Sequence, residues 1–182
     1  MQQHSNPSRS RIATMFLALV LSSGAAFAAP EALVKPGVLV VDKSLAPVQL
    51  KIMETAARRY DTFWNTGDET FAREALAGNF IDKTPPAGRK QGPEGPLLAS
   101  RAFRGAVPDL RCEVEQMIIA GDRVVAHLHF HGHFTGTFGK TNGSGQTVDF
   151  IVTDIYQIEN GKITANWHIE DNLALMKQLG TL

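Results

Sequence analysis

The sequence predicts an α+β fold in which helices cover one face of a curved antiparallel sheet. Three observations carry this prediction. Apolar residues recur at helical spacing from Val48 to about Val107, they recur at every second position from Leu110 onward, and Asn160-Gly161 sits between two of the alternating runs as a short hairpin signal. Helices followed by a meander of strands is the layout of an α+β domain.

The elements follow in order. Arg9 and Arg11 precede an uncharged apolar run from Ile12 to Leu21 and small residues ending Ala26-Phe27-Ala28. This is the pattern of a secretory signal peptide over residues 1–28, cleaved after Ala28, and its apolar run is too short to span a bilayer. The expected location is therefore periplasmic or secreted, with no membrane association after processing. Residues 29–47 carry Pro30, Pro36 and Pro47 around the apolar stretch Val38 to Val41, and read as an extended arm or strand. The folded domain is expected over 48–182. Its first helix, Val48 to Asn65, presents Leu50, Met53, Ala57, Tyr60, Phe63 and Trp64 as one stripe and stops at Thr66-Gly67. A second, short helix spans Asp68 to Leu76 with Asp68 as its cap. Phe80-Ile81 leads into a Pro- and Gly-rich loop from Thr84 to Gly95, and a third helix runs from about Pro96 to Val107 and stops at Pro108. Strands are expected over 110–120, 123–134, 148–158 and 163–170.

The final hairpin concentrates the chemistry. A two-residue turn at Asn160-Gly161 places Ile158 opposite Ile163. Strict alternation then sets Tyr156 opposite Ala165, Asp154 opposite Trp167, Val152 opposite Ile169 and Phe150 opposite Asp171, all on one largely apolar face. Asp171 ends this apolar row and is the candidate general acid/base, able to take a proton from carbon next to a carbonyl and return it to oxygen. Its alternative role is to cap the helix that begins at Asn172. Asp154 is expected four residues from the level of Asp171, on the order of 13 Å away, too far for a shared-proton dyad. It reads as a wall residue orienting a ligand or Tyr60 or Tyr156. Trp64, Phe103, Phe150, Tyr156 and Trp167 complete the expected binding walls.

Composition narrows the function classes. Eighteen Lys and Arg balance eighteen Asp and Glu, which argues against nucleic acid, since that partner demands a basic footprint. The single cysteine, Cys112, cannot form an internal disulfide and reads as a small buried hydrophobe. No phosphate-binding glycine loop and no Gly-x-Ser-x-Gly elbow is present. The alternating His127, His129, His131 and His133 share one face of a strand, a pattern that can bind metal. A three-residue connection at Gly121-Asp122 pairs Glu115 with His127 and Glu113 with His129, and sets Ile118 with Val124, Cys112 and Val114 on the opposite, apolar face. The histidines then form a His/Glu ladder on the solvent or subunit-contact side, with a metal site and a pocket role as the alternatives.

Val107-Pro-Asp-Leu110, Glu115 through Ala126, Gly132-His-Phe-Thr-Gly136, Asp154-Ile, Gly161-Lys-Ile and Trp167 through Asp171 to Gln178-Leu-Gly180 occur in this order across the mature chain. As a set they resemble the SnoaL-like polyketide cyclase and ester cyclase family of the nuclear-transport-factor-2-like superfamily. The resemblance implies a cone of curved antiparallel sheet wrapped on helices around an apolar pocket, usually in a homo-oligomer such as a homodimer. It also implies that the aspartate matching Asp171 is the acid/base of an aldol closure. Relatives carry a histidine in the segment matching Phe80 to Pro85, where this chain has Lys83, and another one position later than His133.

Two functions follow as expectations. The first is an exported, cofactor-independent cyclase- or isomerase-type enzyme acting on a small apolar carbonyl compound through enolate chemistry, with Asp171 as acid/base and no metal. The second is a non-catalytic periplasmic binder of a small hydrophobic molecule. A buried Asp171 without a cation partner favours the enzyme, and a solvated Asp171 favours the binder.

Overall fold

The computed structural model describes Met1, Gln2 and residues 32–182. The expected signal peptide and the start of the arm otherwise lie outside the described residues. After the extended strand β1 (Val38–Val41) come helices α1 (Pro47–Thr66) and α2 (Glu69–Ala75), strand β2 (Leu76–Asp82) and helix α3 (Glu94–Ala106). The rest is mostly sheet: β3 (Arg111–Ala120), β4 (Arg123–Phe134), the small pair β5 (Thr137–Phe138) and β6 (Thr141–Asn142), β7 (Gln146–Glu159) and β8 (Lys162–Glu170), closed by α4 (Asn172–Leu179).

Local chemistry explains most boundaries. Pro47 opens α1, where its missing N–H costs nothing, and Gly67 ends the helix in the left-handed region. Asp68 caps α2 by accepting the Thr70 N–H at 2.9 Å. Helix α3 begins two residues before the expected Pro96, at Glu94.

The main sheet has six strands in the order β1-β3-β4-β7-β8-β2. Its four central strands form the expected antiparallel meander, whereas the edges β1 and β2 pair in parallel with β3 and β8. Both edge strands come from the helical half of the chain, and a parallel neighbour requires such a crossover. The α1 stripe packs on the sheet, with Met53, Ala57, Tyr60 and Phe63 buried and Leu50 and Trp64 at the margin of the core.

Two register shifts alter which residues face inward. In β3 the ladder runs Glu113↔His129 and Val114↔Leu128, then resumes at Gln116↔His127, so Glu115 is an extra residue. Cys112 and Val114 are buried before it, Met117 and Ile119 after it. Ile119, not Ile118, faces Val124, and the connection at Gly121-Asp122 is two residues long rather than three. Ile118 is consequently exposed. In β8 the Asn160-Gly161 turn, with both φ angles positive, gives the expected Ile158↔Ile163 pair. Gln157 then pairs with Ala165, leaving Thr164 as the extra residue. Beyond it Tyr156 lies opposite Asn166, Asp154 opposite His168 and Val152 opposite Glu170. A slip of one residue exchanges the two faces of a strand.

Candidate active site

The concave face of the sheet, α3, α4 and the loop after β2 enclose a cavity of about 340 Å³. That volume lies within the range of small-molecule sites. The walls are mainly apolar: Trp64, Phe103, Phe130, Phe150, Val152 and Met176 line it. Phe130 and Phe150 are stacked at 5.3 Å between ring centroids, and Phe103 and Trp64 meet them edge-on. Polar groups enter from one side through Asp154, His168 and Glu170, and Arg89 enters from the loop.

The β8 bulge places His168 in this wall. Its Nδ1 lies 2.8 Å from Asp154 Oδ1, and its Nε2 lies 3.4 Å from Glu170 Oε2. The imidazole is largely buried, with 19% of its side chain exposed, and Asp154 is almost wholly so. Burial by itself would push the His168 pKa down. The hydrogen bonds and negative charges of Asp154 and Glu170 outweigh it and hold the pKa at about 10. His168 is therefore an imidazolium at neutral pH, donating one N–H to Asp154 and presenting the other beside Glu170 at the cavity. Asp154 is held in turn by the Asn166 amide at 2.8 Å and by the Tyr156 hydroxyl at 3.3 Å.

The residues expected from sequence divide into three groups. Trp64, Phe103, Phe150 and Asp154 line the cavity. Tyr60 and Tyr156 are buried behind it, packed edge to face with their rings 5.6 Å apart. Trp167 and Asp171 lie elsewhere. The bulge turns Trp167 to the outer face, where its ring stacks near Arg123 and Lys83. Asp171 is exposed, caps α4 by accepting the Ala174 N–H at 2.9 Å, and is not part of the cavity wall. The capping alternative describes its position, and the criterion of a buried Asp171 is not met.

His168, Glu170 and Arg89 also line the cavity and were not among the residues expected from the sequence. The signal for the first two was their sequence parity with Asn166 on the polar side of β8, which a single bulge converts into the pocket side. The four alternating histidines remain on the outer face as expected, each beside its own partner: Thr153 for His127, Asp149 for His129, Glu113 for His131 and Asp109 for His133. Among the described residues no group of three or more His, Cys, Asp or Glu side chains is arranged to hold a metal ion.

A curved sheet packed against helices is the architecture of the nuclear-transport-factor-2-like fold. Residues 54–179 match the SnoaL-like polyketide cyclase family, and the chain belongs to it. A candidate polyketide cyclase from Bacillus cereus ATCC 10987 is 38% identical, with a TM-score of 0.76 over 84% of this chain and 96% of that one. TsrD from Streptomyces laurentii is 26% identical, with a TM-score of 0.65 over 76% of this chain and 99% of that one. A candidate SnoaL-like polyketide cyclase from Jannaschia sp. CCS1, 22% identical with a TM-score of 0.66 over 78% of this chain and 99% of that one, shares the fold. No curated protein matches the chain.

Proposed function

We propose that the protein is an acid/base enzyme that enolises a small apolar carbonyl compound, with His168 and Glu170 as its working groups and Asp154 as the anchor of His168. The observation that supports this is the His168 imidazole held at 2.8 Å by a buried carboxylate while its other nitrogen opens on an apolar cavity. In this reading the His168 Nε2–H hydrogen-bonds the substrate carbonyl oxygen. The Glu170 carboxylate takes a proton from the adjacent carbon, and the C–H electron pair becomes the enolate. The enolate oxygen receives the His168 proton, or the enolate carbon attacks a second carbonyl of the same molecule and the new alkoxide is protonated instead. Both proton-transfer roles are filled by side chains, so the reading invokes no cofactor.

A solvated Asp171 favours the second reading, a non-catalytic binder of a small hydrophobic molecule. One experiment separates the two. The protein is incubated in D2O with a panel of apolar 1,3-dicarbonyl compounds, and exchange at the carbon between the carbonyls is followed by NMR. Enzyme-dependent exchange that falls by roughly 10²-fold or more in His168→Phe and Glu170→Gln is expected. Binding without exchange across the panel identifies a binder. The proposal includes export to the periplasm or medium, supported by the leader pattern over 1–28. It also includes self-association through the outer sheet face, supported by the exposed Ile151, Ile155 and Ile169 there.

A further inference from the structure

Behind the cavity lies a carboxyl that the proposed chemistry does not use. Asp61 projects from α1 into the core and is fully buried, as is Tyr156. The Tyr156 hydroxyl oxygen lies 2.7 Å from Asp61 Oδ1 and 3.3 Å from Asp154 Oδ2. A phenol carries one proton and cannot donate to both. If both carboxyls were ionised, one of these two contacts would set oxygen lone pairs against each other in a dry site, so the trio must hold one proton more.

The surroundings decide where that proton sits. Asp154 already accepts the Asn166 amide and the charged His168 N–H, both at 2.8 Å. Asp61 has only Tyr156, and its Oδ2 has no partner among the described residues. Arg58, on the same helix, is turned away to Glu54 and to the carbonyls of Leu33 and Val34. The other ionisable neighbour, the Cys112 thiol of β3, is itself buried and held neutral. We propose that Asp61 is a neutral carboxylic acid at physiological pH and a positioning residue for the His168–Asp154 pair: its O–H donates to the Tyr156 oxygen and thereby directs the Tyr156 hydroxyl at Asp154. Burial, the largest influence, together with the Asp154 charge pushes the Asp61 pKa up to about 8 against the lowering effects of the Tyr156 hydrogen bond and the Arg58 charge, and burial likewise raises the Tyr156 phenol, which keeps its proton.

The consequence is a latch with two settings. While Asp61 is protonated, Tyr156 donates to Asp154 and the carboxylate beside His168 keeps its full set of donors. When Asp61 ionises, it accepts the Tyr156 proton over the shorter contact, and Asp154 loses that donor. The functional meaning of the latch rests on His168 and Asp154 being the working pair, but its existence does not, and the two can fail separately.

The test uses the mature protein. Infrared spectra at pH 6.5 are expected to contain a protonated-carboxyl C=O band that is lost in Asp61→Asn and titrates in the wild type near pH 8. ¹⁵N NMR of His168 is expected to show an inflection over the same pH range, absent in Asp61→Asn and flattened in Tyr156→Phe, which keeps the carboxyl band. Absence of the band in the wild-type protein overturns the proposal without any variant being needed. An inflection that survives in Asp61→Asn, or is unchanged in Tyr156→Phe, overturns the coupling. Lack of exchange activity with the band and inflection intact would refute the enzyme reading and leave the latch standing.

Discussion

The raised pKa values of Asp61 and His168 make stability fall as pH rises, in a way that assigns the slope to named residues. Asp61 is raised from 3.8 to about 8 and His168 from 6.5 to about 10. Each group binds its proton more tightly folded than unfolded. Each contribution is therefore complete below the unfolded pKa and is lost as pH rises through the folded one. Asp61 acts between about pH 4 and 8, and His168 between about pH 6.5 and 10. Each fully titrating group changes stability by about 1.4 kcal/mol per pH unit. Asp61 alone should lower stability by roughly 3 kcal/mol between pH 5 and pH 7.5, with His168 adding roughly 1 kcal/mol above pH 6.5. The lowered pKa values of Asp42, Glu69 and Asp109 act in the opposite sense, but Asp109 is exposed and Asp42 and Glu69 are only half-buried, and their window lies near and below pH 4.

Urea unfolding followed by far-UV circular dichroism, at constant ionic strength, measures this directly. With slopes of about 1–3 kcal/mol/M typical of domains, the midpoint should drop by roughly 1–4 M between pH 5 and 7.5. Asp61→Asn should be flat from pH 5 to 6.5 and retain the decline above it, whereas His168→Gln should keep the first decline and lose the second. A wild-type midpoint that is constant or rises over this range, or an unchanged decline in Asp61→Asn, would refute the reasoning.

Other outcomes follow from the site. Asp171→Asn should keep both fold and exchange activity, because Asn caps about as well as Asp. Asp171→Ala should cost about 0.5–2 kcal/mol in urea unfolding without abolishing exchange per folded molecule. Trp64→Ala should weaken binding of an apolar dicarbonyl by about tenfold in titration calorimetry, and Trp167→Ala, on the outer face, should leave the affinity within about twofold. Chelator should leave the melting temperature unchanged. A large fall reversed by Zn²⁺ would show that the outer histidine ladder holds a structural metal.

Features encoded by a single residue type were legible in the sequence. Asn160-Gly161 fixed its hairpin through two positive φ angles, Asp68 its cap, and the α1 stripe its buried face. The cavity residues Phe150 and Asp154 were reachable because β7 alternates without interruption: Val148, Phe150, Val152, Asp154, Tyr156 and Ile158 are all buried, while Trp64 and Phe103 lie on helices α1 and α3. What alternation could not give was the bulge at Thr164, where no glycine or proline marks the extra residue. The bulge at Glu115 left more of a trace, because the apolar positions of β3 skip from Val114 to Met117. In β8 the corresponding trace is the buried pair Ala165-Asn166, and a buried asparagine does not show itself as buried in a hydropathy pattern.

The β8 bulge also explains why His168 faces the cavity and Asp171 does not. With Thr164 taken out of register, His168 and Glu170 face the cavity, and Asp171 falls at the strand exit with its N–H donating to the Ile151 carbonyl at 3.0 Å. There its carboxylate can only meet the first turn of α4. That turn matters to the site by another route, since Asn172, Leu175 and Met176 of α4 form part of the cavity wall. Asp171 thus helps hold a cavity wall in place, while the proposed proton chemistry is assigned to His168, three positions earlier. A change at Asp171 should therefore register first in stability and ligand affinity, and a change at His168 first in rate.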